Sequence, residues 1–214
     1  MEQTEENEAQ KKVKEEPVFP SLLFQKYDLS SVDIKDPGLK RVISLKSAIL
    51  PKSAGKFSQQ RLARARVNIV ERLMDHLMVP GHKGKKHLRT SKMASGRFYT
   101  TFKIVDEAFD MIAKDGKNPV QVLVDAIQNS APREEVMTLL VAGQRLAKQV
   151  DTSPMRRLDL SLRWIAQGTF QLSFSGKKAS RALYEVLTGA AANSDASFPV
   201  SKRIDTERQA SSSR

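Results

Sequence analysis

Apolar residues recur three or four positions apart in five separate stretches of this chain, each bounded by proline, glycine, asparagine or serine. That period is the signature of helices with one buried face, and five such faces cannot be buried except against one another. The spacing predicts a first helix over 58–78, with Ser58 as N-cap, Leu62, Val67, Val70, Leu73, Met74, Leu77 and Met78 inward, and Pro80-Gly81 as its stop. A second covers 99–113, with Phe102, Val105, Phe109 and Ile112 inward and Gly116 beyond its end. Asn118-Pro119 opens a third, with Val120, Leu123, Val124 and Ile127 inward, because a proline at the first helical position forgoes an N–H that has no partner there anyway. Ser153-Pro154 repeats that signal for a helix to about Gln167, with Leu158, Leu162 and Ile165 inward. A last helix near 177–192 buries Ala179, Ala182, Leu183, Val186 and Leu187. The expectation is a helical bundle of five or six helices.

The remainder divides by composition. Residues 1–16 hold six glutamates and three lysines with nothing to bury, so they are expected to be a disordered acidic leader and not a secretory or mitochondrial signal. Residues 17–57 read as an extended arm, carrying Pro17, Pro20 and Pro37, followed by a basic loop. Residues 58–200 form the helical core, 168–176 being a connector within it. Residues 201–214 read as a basic tail with short helical potential. The stretch 134–150 is ambiguous: its helix formers favour a helix kinked at Gly143, the one interruption.

Charge decides the partner class. The net charge is +12, with nine basic residues and one acid between Lys40 and Arg72, then seven basic residues and no acid between Gly81 and Lys103. Two successive segments of nearly pure cation are a footprint for a phosphate backbone. The arginines and lysines fall in four groups: Arg61, Arg64 and Arg72; Lys83, Lys85, Lys86, Arg89, Lys92 and Arg97; Arg156, Arg157 and Arg163; and Lys177, Lys178 and Arg181. Arginine offers a planar fork to phosphate oxygens and lysine a mobile point charge. Four dispersed groups suit a large folded RNA better than one duplex groove, where a helical DNA-binding regulator would concentrate them on one recognition helix.

Catalysis finds no convergent set. The chain has no cysteine, which excludes thiol nucleophiles and thiolate metal sites, and its three histidines are His76, His82 and His87. His76 beside Asp75 reads as a boundary residue, and two histidines among seven cations make a poor metal site. The GHKGKK stretch at 81–86 lacks the spacing of a phosphate-binding loop and follows a helix instead of a strand. Trp164, between apolar neighbours, reads as core edge and not as a base-stacking platform. No enzyme activity, cofactor, metal or small-molecule substrate is expected. No window approaches 18 uninterrupted apolar residues, so no membrane partner is expected either.

Several of these blocks together resemble one family. NPVQVLVDAIQNSAPREE at 118–135, DTSPMRRLDLSLRWIAQG at 151–168, IVERLMDHLM at 69–78, GKKH at 84–87, KIVDEAFDMI at 103–112 and the ending SKRIDTERQASSSR resemble the universal small-subunit ribosomal protein number seven family, in its archaeal form. The resemblance implies a mainly α fold, a six-helix bundle with a protruding two-stranded β-ribbon, the ribbon falling near 137–150 with its tip at Gly143. It implies a structural constituent of the small ribosomal subunit in the cytoplasm, bound to the 3′ major domain of small-subunit rRNA. Such a protein nucleates head assembly among neighbouring head proteins and lies near the mRNA exit channel and the E-site tRNA. By position it adds Lys52 and Lys56 to the rRNA-contacting residues, and it assigns Gly143, Gln144, Arg145 and Lys148 to the ribbon that faces the E-site tRNA. The stretch 87–101 is longer than the family's usual link and is expected either to make extra rRNA contact or to be a disordered insertion.

Overall fold

A computed structural model describes residues 22–79, 96–141 and 143–213. Among these, six helices of ten residues or more form the bundle: α3 (Ile69–Met78), α4 (Phe98–Lys114), α5 (Pro119–Ser130), α6 (Pro154–Ser173), α7 (Ala179–Ala191) and α8 (Phe198–Ser211). Two single turns, α1 (Pro37–Lys40) and α2 (Ala63–Arg66), precede them. The shared core is built from Leu73 and Met74 of α3, Phe109 and Ile112 of α4, Leu123 and Ile127 of α5, Leu158 and Ile165 of α6, and Leu183 and Leu187 of α7. The stripes expected for these five helices thus meet in one core, and Trp164 is buried at its edge.

The arm is held to this core by polar as well as apolar contacts. A short hairpin pairs β1 (Leu22–Leu23) with β2 (Tyr27–Asp28), turning through Phe24 and Gln25 at positive φ. Phe24 and Tyr27 pack edge-on against each other and near Phe109, and Phe24 packs edge-on against Phe102. Tyr27 donates to Asp110 at 2.7 Å. Further along, α5 reads the arm's backbone: Gln121 accepts from the Asp33 N–H at 2.8 Å and Gln128 from the Asp36 N–H at 2.9 Å. Asn118 uses both ends of its amide, accepting from the Val120 N–H as N-cap and donating to the Asp28 carbonyl.

Three boundaries differ from the sequence expectation. The helix expected over 58–78 is broken: Leu62 sits at φ +56 and is exposed, α2 is one turn, and α3 starts at Ile69. Asn68 causes the late start, because its Oδ1 accepts from the Val70 N–H while its Nδ2 donates to the Lys46 carbonyl, and the Ile69 N–H bonds Ser44. Helix α6 runs past Gln167 to Ser173, absorbing most of the expected connector. Gly168 within it lets α8 approach closely, since a Cβ would stand 3.3 Å from that of Phe198. Residues 201–211 are likewise helix, continuing α8, with Val200 and Ala210 buried against the bundle.

The ambiguous stretch is a ribbon. Strands β3 (Glu134–Val141) and β4 (Gln144–Asp151) pair antiparallel from Glu134 opposite Asp151 to Val141 opposite Gln144. Gly143 takes φ +81 in the two-residue connection, a conformation that costs glycine nothing. The β-branched Val136, Thr138 and Val150 suit this pairing better than a helix. At the root Glu134 bonds Gln149, α8 packs across both strands, and the Arg133 N–H donates to Glu207. Toward the tip the side chains are exposed, with Leu140 71% accessible.

Candidate nucleic-acid interface

From Lys40 to Arg66 every charged side chain is a cation, and all eight are exposed: Lys40, Arg41, Lys46, Lys52, Lys56, Arg61, Arg64 and Arg66. The segment is irregular in backbone yet pinned. Ser53 gives both its N–H and its hydroxyl to Glu71 of α3, at 2.6 and 2.7 Å, and the Phe24 N–H bonds Ala48. Aromatic faces carry several ammonium groups. Lys46 lies over Phe57, Lys52 over Phe98 and Lys103 over Tyr99, at 5.3, 5.0 and 4.7 Å from the ring centroids. The Lys52–Phe98 contact joins the basic loop to the start of α4, where Arg97 is exposed. Tyr99 is itself 67% accessible and lies nearly parallel to Phe102.

The second cationic segment leaves and re-enters at the same place, since the Gly96 N–H donates to the Met78 carbonyl at 3.2 Å. Its members Lys83, Lys85, Lys86, Arg89 and Lys92, with His82 and His87, lie outside the described residues. Their anchor points adjoin the α3 end and the α4 start, next to Arg97.

The remaining arginines divide by burial. Arg72 is only 5% accessible; it donates to Asp159 at 2.6 Å and reaches the Val42 carbonyl at 3.4 Å. Arg64, 74% accessible, takes the other Asp159 oxygen at 3.2 Å, and His76 stands 3.9 Å away. Burial alone would raise the Asp159 carboxyl, but His76, Arg72 and Arg64 outweigh it and hold it far below the usual carboxylate range. Arg163, one turn further along α6, is exposed and shares a 370 Å³ cleft with Arg64, Arg72 and His76. Arg157 is buried, donating to Asp36 at 2.7 Å and to the Pro132 carbonyl at 3.1 Å. It therefore ties the arm to the ribbon root. Burial opposes ionisation of Asp36 too, yet Arg157 and the Gly38 N–H bring its carboxyl below the ordinary value. Arg156 forks onto Glu135 of β3 at 2.5 and 2.7 Å while staying exposed.

The fourth group is exposed and ion-paired. Lys177 meets Glu185 at 2.6 Å, Arg181 meets the same carboxylate at 3.4 Å, and Lys178 meets Glu107 at 2.8 Å. On the ribbon, Gly143, Gln144, Arg145 and Lys148 are all exposed, with Arg145 opposite Leu140 and Lys148 opposite Met137. Lys46, Arg66 and Lys103 are not singled out by the sequence reading; Tyr99, one helical turn from Lys103, is a signal that marks that lysine. Among the described residues no three histidine or acidic side chains converge as a metal site, and no helix is long and apolar enough to cross a membrane.

Residues 39–214 match a family model described as ribosomal protein S7p/S5e. Similar relatives include three proteins named small ribosomal subunit protein uS7. That of Nanoarchaeum equitans is 40% identical over 196 residues, covering 90% of this chain and 98% of the relative. That of Thermoplasma volcanium is 42% identical over 195 residues, covering 90% and 100%. That of Archaeoglobus fulgidus is 42% identical over 196 residues, covering 90% and 95%.

Proposed function

Since this chain belongs to the ribosomal protein S7p/S5e family, in its archaeal uS7 form, we propose that it binds the 3′ major domain of small-subunit rRNA and nucleates assembly of the head. It is an RNA-binding protein of translation and not an enzyme. The observation that carries the finer reading is the uninterrupted run of eight exposed cations from Lys40 to Arg66, fixed to α3 and α4. No carboxylate interrupts the run along the chain before Glu71, which Ser53 occupies, and in space Asp159 pairs with Arg64.

In this reading Lys52, Lys56, Arg61, Arg64, Arg97 and Arg163 hold phosphates directly, and Lys83, Lys85, Lys86, Arg89 and Lys92 extend the same surface. Arg156, Lys177, Lys178 and Arg181 exchange carboxylate for phosphate on binding, an inexpensive step for exposed pairs. Arg72 and Arg157 are positioning residues, acting through α3 and the ribbon root. The ribbon tip, Gly143 to Lys148, reaches toward the E-site tRNA beside the mRNA exit channel. Neighbouring head proteins complete the setting, in the ribosome and hence the cytoplasm. Residues 1–16 are a leader, 17–57 an arm and basic loop, 58–200 the core, and 201–214 a tail that extends α8.

Hydroxyl-radical footprinting on a transcript of the 3′ major domain tests this. The proposal expects a compact set of protected riboses, a subset of which is lost with Lys52→Gln and Arg61→Gln together. Uniform weak protection, equal to that on unrelated RNA, would contradict it.

A further inference from the structure

A polar groove of about 820 Å³ lies where the arm, the end of α5, the ribbon root and α8 converge. Apart from Arg157, none of its lining residues belongs to the rRNA-binding set. Three of its cations lack an ion pair among the described residues: Lys35, Arg133 and Arg203. Arg203 is the informative one. Among the described residues its Nε is enclosed and meets no acceptor, and its guanidinium makes one long bond, 3.4 Å, to Asn193. The enclosed Nε is beyond the reach of a groove occupant, but the terminal nitrogens are exposed, and a carboxylate or carbonyl oxygen in the groove can accept from them. The walls are rigid, because Arg157 clamps Asp36 and Gln128 accepts from the Asp36 N–H.

The sign of the lining separates the occupants. Asp36, Asp125 and Glu207 stand among the cations, so a chain of phosphates would meet three carboxylates in a small space. A peptide has acceptors for Arg203 and Arg133 and donors for Asp125 and Glu207 along one strand of backbone and side chains. We propose that this groove is a docking site for an extended peptide segment of another protein of the small subunit, one that places a carboxylate between Arg133 and Arg203. The groove is thus a protein surface on a molecule whose basic loop suits RNA. The inference rests on the ribosomal reading for its setting only.

The test places a photoreactive benzophenone amino acid at position 35, which is exposed, and assembles the full-length chain into small subunits with the complete rRNA and protein set. Irradiation is expected to give a crosslink to a protein at a single peptide. Arg203→Gln together with Arg133→Gln should lower that yield about tenfold, with rRNA affinity and its salt slope unchanged. Arg133→Glu alone, at an exposed position, gives the same direction if Arg203→Gln impairs folding. A crosslink to rRNA, no crosslink in subunits that contain the chain, or a yield indifferent to both variants would overturn the proposal. Failure of the chain to enter subunits at all would instead contradict the ribosomal reading, and with it the partner.

Discussion

Asp159 accepts from two arginines that sequence spacing alone treats as equivalent. Arg64 and Arg72 fall on one side of the expected helix, but the break at Leu62 and the cap at Asn68 put them in separate elements. Arg72 is enclosed and Arg64 open to solvent. Asp159→Asn strands the Arg72 charge and is expected to cost about 3 kcal/mol in urea unfolding. Arg64→Gln should cost under about 1 kcal/mol while weakening RNA binding. The carboxyls of Asp159 and Asp36 are both held below their unfolded value of about 4. Their contribution is therefore complete above that value and is lost as pH falls toward the depressed folded pKa. Thermal midpoints should fall below about pH 4, and the fall should be shallower in Asp159→Asn. Burial of this kind is not legible in a sequence: arginines facing phosphate and arginines facing a carboxylate eighty-seven positions away carry the same letter.

Among elements, a cap followed by a periodic stripe was legible from the chain alone for the helices after Phe98, whereas the expected start at Ser58 gave way to Asn68. Helix α5 follows from Asn118-Pro119 and its apolar positions, and Asn118→Ala is expected to cost about 1 kcal/mol or more, since the same amide also holds the Asp28 carbonyl. The ribbon was not legible from propensity, because Glu134, Met137, Leu139, Leu140 and Leu146 all favour helix. Its strands are chosen by tertiary contacts at the root, from Arg156, Glu207 and α8, which local statistics do not contain. Only the resemblance to a family supplied it. Gly143 has open space around it, so Gly143→Ala adds no clash and only the strain of a left-handed residue, about 1 kcal/mol. Hydrogen exchange should quicken at the ribbon tip in that variant while the helices keep their protection.

Over the whole molecule, charge and core are laid out separately. Apolar stripes from α3 to α7 converge inward, and the cations from Lys40 to Arg66 lie on an irregular segment that the bundle holds but does not bury. That separation was legible from the charge runs, whereas the aromatic seats for Lys46 and Lys52 needed the fold to bring separate positions together. Each exposed cation removed from this segment should lower the salt slope of RNA binding by about one unit. The most direct test is a salt-titrated binding comparison between a folded fragment of the 3′ major domain, an unrelated structured RNA and duplex DNA of equal length. The account predicts that the rRNA fragment binds tighter by orders of magnitude and keeps that preference at high salt. Equal affinities that vanish together as salt rises would contradict it, leaving only a generic polyanion surface.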